Sequence, residues 1–175
     1  GDGVPGTGIV QAGDIFFSDV TTLDSESGES NDIDLRSGTG DITFNANVGS
    51  LTADSRPGTL TVQDSSGTLT FGGADATAID SELGPVNTLK FDGAVNLGAD
   101  ATELTAIVFN GGPGVSDLLT LDTTSDDVRL NGPVILNSSV DITTDAASPG
   151  TVTFTNDSPI DSQTGESNDL TLTVG

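Results

Sequence analysis

Cysteine, methionine, tryptophan, tyrosine and histidine are all absent from this 175-residue chain, and seven phenylalanines are its only aromatic residues. Each absence excludes something. Without cysteine there is no disulfide and no thiol chemistry, which leaves the redox compartment open. Without histidine or cysteine, the Ser-His and Cys-His nucleophile systems cannot be built. Only Arg36, Arg56, Lys90 and Arg129 are cationic, against 27 acidic residues, and the net charge is −23. Nucleic acid is excluded as a partner, because displacing counterions from phosphate takes many cations. Anionic membrane surfaces are disfavoured for the same reason, and no apolar run approaches the length of a membrane span. An enzyme acting on acidic polysaccharide would want a cationic pocket and aromatic platforms. A carboxylate pair of the glycosidase type is the one catalytic device left open. No enzymatic activity is expected.

What is present points to strands. Hydrophobic residues make up 33% of the chain. They fall in short alternating β-branched runs, which argues against the disorder that acidic, Gly/Ser-rich chains often show. The 23 glycines and the many Asp, Asn, Ser and Thr residues supply turns at high frequency. A core without large aromatics has to be filled by Val, Ile, Leu, Ala and a few Phe packed in some regular way. The first eight residues, Gly-Asp-Gly-Val-Pro-Gly-Thr-Gly, carry neither an initiator Met nor a signal-peptide pattern and read as a processed or excised end.

The chain repeats itself at two scales. Residues 14–37 recur at 151–174, an offset of 137 with no gap: Phe17 meets Phe154, Asp24 meets Asp161, and Gly28-Glu29-Ser30-Asn31-Asp32 is repeated at 165–169. Inside this long repeat lies a short one. Ile42-Thr43-Phe44, Leu69-Thr70-Phe71, Leu89-Lys90-Phe91, Ile107-Val108-Phe109, Val128-Arg129-Leu130 and Val152-Thr153-Phe154 each alternate inward and outward residues. A turn pair such as Asp92-Gly93, Asn110-Gly111 or Asn131-Gly132 often follows, tolerant of the positive φ of a sharp bend. Leu60-Thr61-Val62, Leu119-Thr120-Leu121, Val140-Asp141-Ile142 and Leu170-Thr171-Leu172 are related strands.

Spacing separates the candidate folds. Phe17 to Leu35, Phe44 to Val62 and Phe91 to Phe109 are each 18 residues apart, and Leu35 to Phe44 and Val62 to Phe71 are each 9 apart. A rung of about 20 residues carrying two or three short strands is what a parallel β-helix (solenoid) uses. The whole chain, 1–175, is therefore expected to be one continuous solenoid. The alternative is a tandem of Ig-like β-sandwiches, whose hairpins accept the same turn residues. Loops are expected at 24–32, 73–86, 99–103 and 111–117.

Calcium is the one cofactor that the residues suggest. Asp24, Glu26, Glu29 and Asp32 crowd one loop, and Asp161, Glu166 and Asp169 recur in its second copy, where Gln163 replaces Glu26. Ca²⁺ takes six to eight such oxygens, yet the spacing fits neither an EF-hand nor a known calcium nonapeptide, so a plain acidic loop is the competing reading. Asp117, Asp122, Asp126 and Asp127 form a weaker cluster. Paired threonines at 59/61, 68/70, 151/153 and 171/173 could form an ice-binding array if stacked on one face, but ordinary strand preference explains them. Asn137 and Asn156 fit the N-glycosylation acceptor pattern.

The segments Gly40-Asp-Ile-Thr-Phe-Asn-Ala-Asn-Val-Gly49, Gly67-Thr-Leu-Thr-Phe-Gly-Gly-Ala74 and Thr88-Leu-Lys-Phe-Asp-Gly-Ala-Val95 resemble the giant β-strand-repeat surface proteins of Gram-negative bacteria, which are akin to filamentous-haemagglutinin-like β-helix adhesins. The likeness runs from about residue 14 to the end and is one of texture, with no functional motif. It implies secretion, a right-handed β-helix and a role in a filament, surface coat or adhesion, and it carries no catalytic residue. The expected function is that of a structural repeat segment of an extracellular filament or giant surface protein. Its partners would be copies of itself, head-to-tail, or adjoining repeats. The alternative is a calcium-stiffened adhesin module that binds glycan or a host surface.

Overall fold

The structure, a computed structural model, describes residues 13–17, 22–45, 47–49, 52–72, 88–99, 103–111, 118–144, 149–155 and 159–174. The expected loop at 73–86 lies outside these residues, as do most of those at 99–103 and 111–117, including Asp117, and the acceptor Asn156. Among the described residues, seventeen strands follow one another around a three-sided coil. The first turn is β1 (Ile15–Phe17), β2 (Thr22–Leu23) and β3 (Ile33–Leu35), and the second is β4 (Ile42–Phe44), β5 (Asn47–Val48) and β6 (Leu60–Val62). The third is β7 (Thr68–Phe71), β8 (Thr88–Phe91) and β9 (Val95–Leu97), and the fourth is β10 (Ala106–Phe109), β11 (Leu118–Thr123) and β12 (Val128–Leu130). The fifth is β13 (Val134–Leu136), β14 (Ser139–Thr144) and β15 (Val152–Phe154), and β16 (Ile160–Ser162) with β17 (Leu170–Val174) begins a sixth.

Every third strand shares a sheet. The first side is β1-β4-β7-β10-β13-β16, the second runs from β2 to β17, and the third from β3 to β15. Each pairing is parallel. The fold is a parallel β-helix. A sandwich would need antiparallel hairpins, and the described strands contain none.

One expectation is corrected. Ile42 lies beside Ile15 and Leu69 beside Ile42, so a regular coil takes 27 residues rather than about 20. The 18-residue spacing from Phe17 to Leu35 spans two sides of one coil, and the 9-residue spacing from Leu35 to Phe44 spans one. Not every coil has this length: Leu69 pairs with Ile107, 38 residues on.

Parallel register sets like on like. Inside the first side stand Ile15, Ile42, Leu69, Ile107, Val134 and Ile160, beside Phe17, Phe44, Phe71, Phe109 and Leu136. The other two sides contribute Val48, Leu89, Leu121 and Ile142, and Leu60, Val95 and Val128, all fully buried. The rings of Phe17, Phe44, Phe71 and Phe109 form one stack, with centroids 4.6, 5.2 and 5.6 Å apart. A narrow core built of columns needs no Trp or Tyr, which accounts for the composition. Corners are tight: Gly72 has φ +101°, and a Cβ there would run into the Asn110 carbonyl oxygen, so only glycine fits.

Candidate functional site

The repeated acidic loop folds the same way twice. In the first copy the backbone N–H of Asn31 donates to Ser25 Oγ at 3.0 Å, Asn31 Nδ2 donates to Glu29 Oε2 at 3.0 Å, and the N–H of Glu29 donates to the Glu26 carbonyl at 2.9 Å. The second copy repeats all three with Asn168, Ser162, Glu166 and Gln163, at 3.1, 3.1 and 3.0 Å. Gly28 and Gly165 take the left-handed backbone both loops require, with φ of +84° and +91°. The five-residue identity therefore encodes a self-closed corner.

Several candidate ligands have structural roles. Asp32 Oδ1 accepts the backbone N–H of Thr59, 27 residues on, at 2.7 Å. Asp161 Oδ1 accepts from the N–H of Ser162, and the N–H of Asp169 donates to Ser139 Oγ. Glu29 and Glu166 hold the neighbouring Asn amides, and Glu26 is exposed. Asp122 lies 3.7 Å from Arg56, the Asp126 carbonyl accepts from Thr123 Oγ1, and Asp127 Oδ1 accepts the N–H of Thr151. Among the described residues no three carboxylates converge on a point where they could share an ion. Asp24 stands apart: both of its carboxylate oxygens are shielded from solvent and have no hydrogen-bond partner.

The Asp32 and Asp127 contacts belong to a pattern that the sequence reading missed. A residue just before an inward strand position accepts the backbone N–H of its counterpart one coil on. Asp14 accepts from Asp41 and Asp41 from Thr68, at 3.0 and 2.8 Å, and Asn47 accepts from Thr88. Each such link is a side-chain staple between coils, charge-assisted where the acceptor is Asp. The signal was present as Asp or Asn preceding so many strands.

Cations tie coils together too. Arg36 donates to Asp34 and Asp64 at 3.1 and 3.0 Å, and Arg56 donates to Thr124 Oγ1 beside its ion pair with Asp122. Arg129 donates to the Gly98 carbonyl. The hydrogen bond from Arg36, helped by one from Gln63, holds the Asp34 carboxyl below its ordinary value, and Asp34 in turn raises Arg36. The paired threonines lie on all three sides of the coil and share no single face.

The end faces of the described coil are the other candidate site. β15, β16 and β17 each pair on one edge, and Ile160, Leu172 and Val174 are 45%, 42% and 51% exposed there. At the opposite end, β1, β2 and β3 likewise pair on one edge, and Ile15, Phe17, Leu23, Ile33 and Leu35 are only half-buried. No described helix is long and apolar enough to cross a membrane. No protein-family model matches the chain, and neither a curated protein nor a solved structure matches it.

Proposed function

We propose that this chain is a structural repeat segment of an extracellular filament or giant surface protein of a Gram-negative bacterium, stacked end to end with copies of itself or with adjoining repeats, and that it performs no catalysis. The observation that carries the reading is the pair of end faces of the described coil. Among the described residues each has three strands paired on one edge and half-exposed apolar residues, which invite another strand. A head-to-tail contact of this kind does not close and therefore builds a fibre. The recurrence of residues 14–37 at 151–174 supports the same reading, because the coil already carries the start of a second copy. Secretion and the bacterial surface follow from the likeness to β-strand-repeat adhesins.

Electron microscopy of concentrated protein tests this: unbranched fibres one coil wide are expected. A monodisperse monomer with both ends bare would refute it. Asp24 favours a second reading, a calcium-stiffened adhesin module recognising glycan or a host surface, since its carboxylate has no other partner. A melting temperature that rises with Ca²⁺ and no longer does so in Asp24→Ala would support that reading. Unchanged melting would end it.

A further inference from the structure

The long sequence repeat and the coil do not share a period. β1 lies on the first side of the coil, but its counterpart 137 residues on, β15, lies on the third. β2 lies on the second side and its counterpart β16 on the first, while β3 lies on the third and its counterpart β17 on the second. Every motif strand has moved by one side, and in the same direction. β15 comes fourteen strands after β1, which is four full coils and two sides. The acidic loop moves with them. It joins the second side to the third in the first copy and the first side to the second in the next.

From this we infer that the end face formed by β15, β16 and β17 is an interaction surface for the continuation of the next 137-residue unit, and that successive units wind about the axis as a three-fold screw. The inference rests on the end-to-end reading only for there being a next unit. Its seat is already occupied in part: β15, β16 and β17, which open the second unit, pair in parallel register with β12, β13 and β14. Phe154 gives an independent indication. In the first unit Phe17 opens a stack of four rings on the first side. Phe154, its counterpart, stands half-buried on the third side with Leu130 as its register neighbour. The ring it awaits is the counterpart of Phe44, which the next coil brings to that side. The phenylalanine column of each unit thus sits one side on from that of the unit before.

At about 4.8 Å per coil, one unit advances about 22 Å, and three units, 14 coils, advance about 67 Å before the same side repeats. The consequence is mechanical. Four rings on one side make each unit asymmetric. A unit closing on a whole number of coils would add the same asymmetry on the same side every time and bend the filament. Turning by one side per unit averages it over three directions and keeps a long coil straight.

Absence of native cysteine makes the phase easy to read. In the full chain, Asp141→Cys with Thr171→Cys places thiols on register partners of β14 and β17, at a separation a disulfide accepts. Whole-coil closure would return β15 to the first side, with Thr153 beside Ile135 of β13 in place of Arg129. Oxidation is expected to close the 141–171 pair and to leave Ile135→Cys with Thr153→Cys open, and the reverse result would overturn the inference. A chain lengthened by two further passes of residues 38–174 carries four acidic loops. Cryo-electron microscopy is expected to find them on successive corners, with the first and fourth aligned. Four loops on one corner, or added passes that fail to coil, would also overturn it. Fibre formation is a separate readout. If the cross-links form as expected but no fibres appear, the filament reading fails and the phase stands.

Discussion

Truncating Phe71 to alanine should cost far more than truncating Phe17, although both belong to the same ring stack. Phe71 is fully buried between Phe44 at 5.2 Å and Phe109 at 5.6 Å, with interplanar angles of 22° and 11°. A buried Phe→Ala change costs about 3–5 kcal/mol, and each lost ring pair adds about 0.5–1.5 kcal/mol, so the expected loss is near the top of that range. Phe17 is half-buried and has one ring neighbour in the stack, Phe44 at 4.6 Å. With about half the apolar area at stake, its loss should be about 2 kcal/mol. The chain has no Trp or Tyr, so urea denaturation followed by far-ultraviolet circular dichroism is the suitable assay. Hydrogen exchange then places the damage, because in a stack of coils each contacts only its neighbours. Faster exchange in β4, β7 and β10 is expected for Phe71→Ala. A double-mutant cycle between Phe44 and Phe71 should give a coupling of about 0.5–1.5 kcal/mol, against almost none between Phe17 and Phe71. Equal costs for the two truncations, or equal couplings, would show that the rings do not form an ordered column.

Asp41→Ala removes the acceptor for the Thr68 N–H and should cost about 1–2 kcal/mol in the same assay, while Asp41→Asn, which keeps an oxygen there, should cost less. Gly28→Ala and Gly165→Ala meet no neighbouring atom within 4 Å. Only the positive φ opposes them, so each should lose about 1 kcal/mol and by the same amount. Asp34 has a lowered pKa, so its contribution to stability is complete above the ordinary carboxylate range and is lost as pH falls through its lowered value. An NMR titration should show that midpoint below 3.8 and its return upward in Arg36→Ala. Copies that each carry −23 repel one another. Fibre growth, followed by sedimentation, should therefore strengthen as the Debye length shrinks from about 30 Å to about 3 Å between 0.01 and 1 M salt.

Most of the fold was legible in the sequence, because the inward alternation at Ile42-Thr43-Phe44 or Leu60-Thr61-Val62 is a direct signature of a half-buried strand. The coil length was not. Asn110-Gly111 and Asn131-Gly132 look like ends of rungs, yet each marks only one corner of a three-cornered coil, and Val134–Leu136 and Val95–Leu97 are the strands that follow such corners. Missing those sides merged three sides into two and gave the shorter period. The 9-residue interval from Leu35 to Phe44 was the true unit, one side of a triangle. The acidic loop was legible as a repeat and as a loop, but its internal bonds were not. Ser25 and Asn31 reach each other only once Gly28 turns the chain back.

Acidity itself acquires a role through the coil. Backbone bonds along three parallel sheets allow slippage of a strand by two residues without inverting its faces, so something beyond the ladder has to fix each coil on the next. Asp14, Asp32, Asp41 and Asp127 each reach a particular N–H in the adjacent coil, and Arg36 joins Asp34 to Asp64 across one. A slip of two residues in one strand breaks the links that strand makes and also sets a Phe beside an Ile or Leu, so the links and the columns select the same register. Short acidic side chains at strand starts therefore add to the register that the Ile, Leu, Val and Phe columns set. Part of the charge of −23 is then a consequence of how this coil is indexed, independent of any ligand.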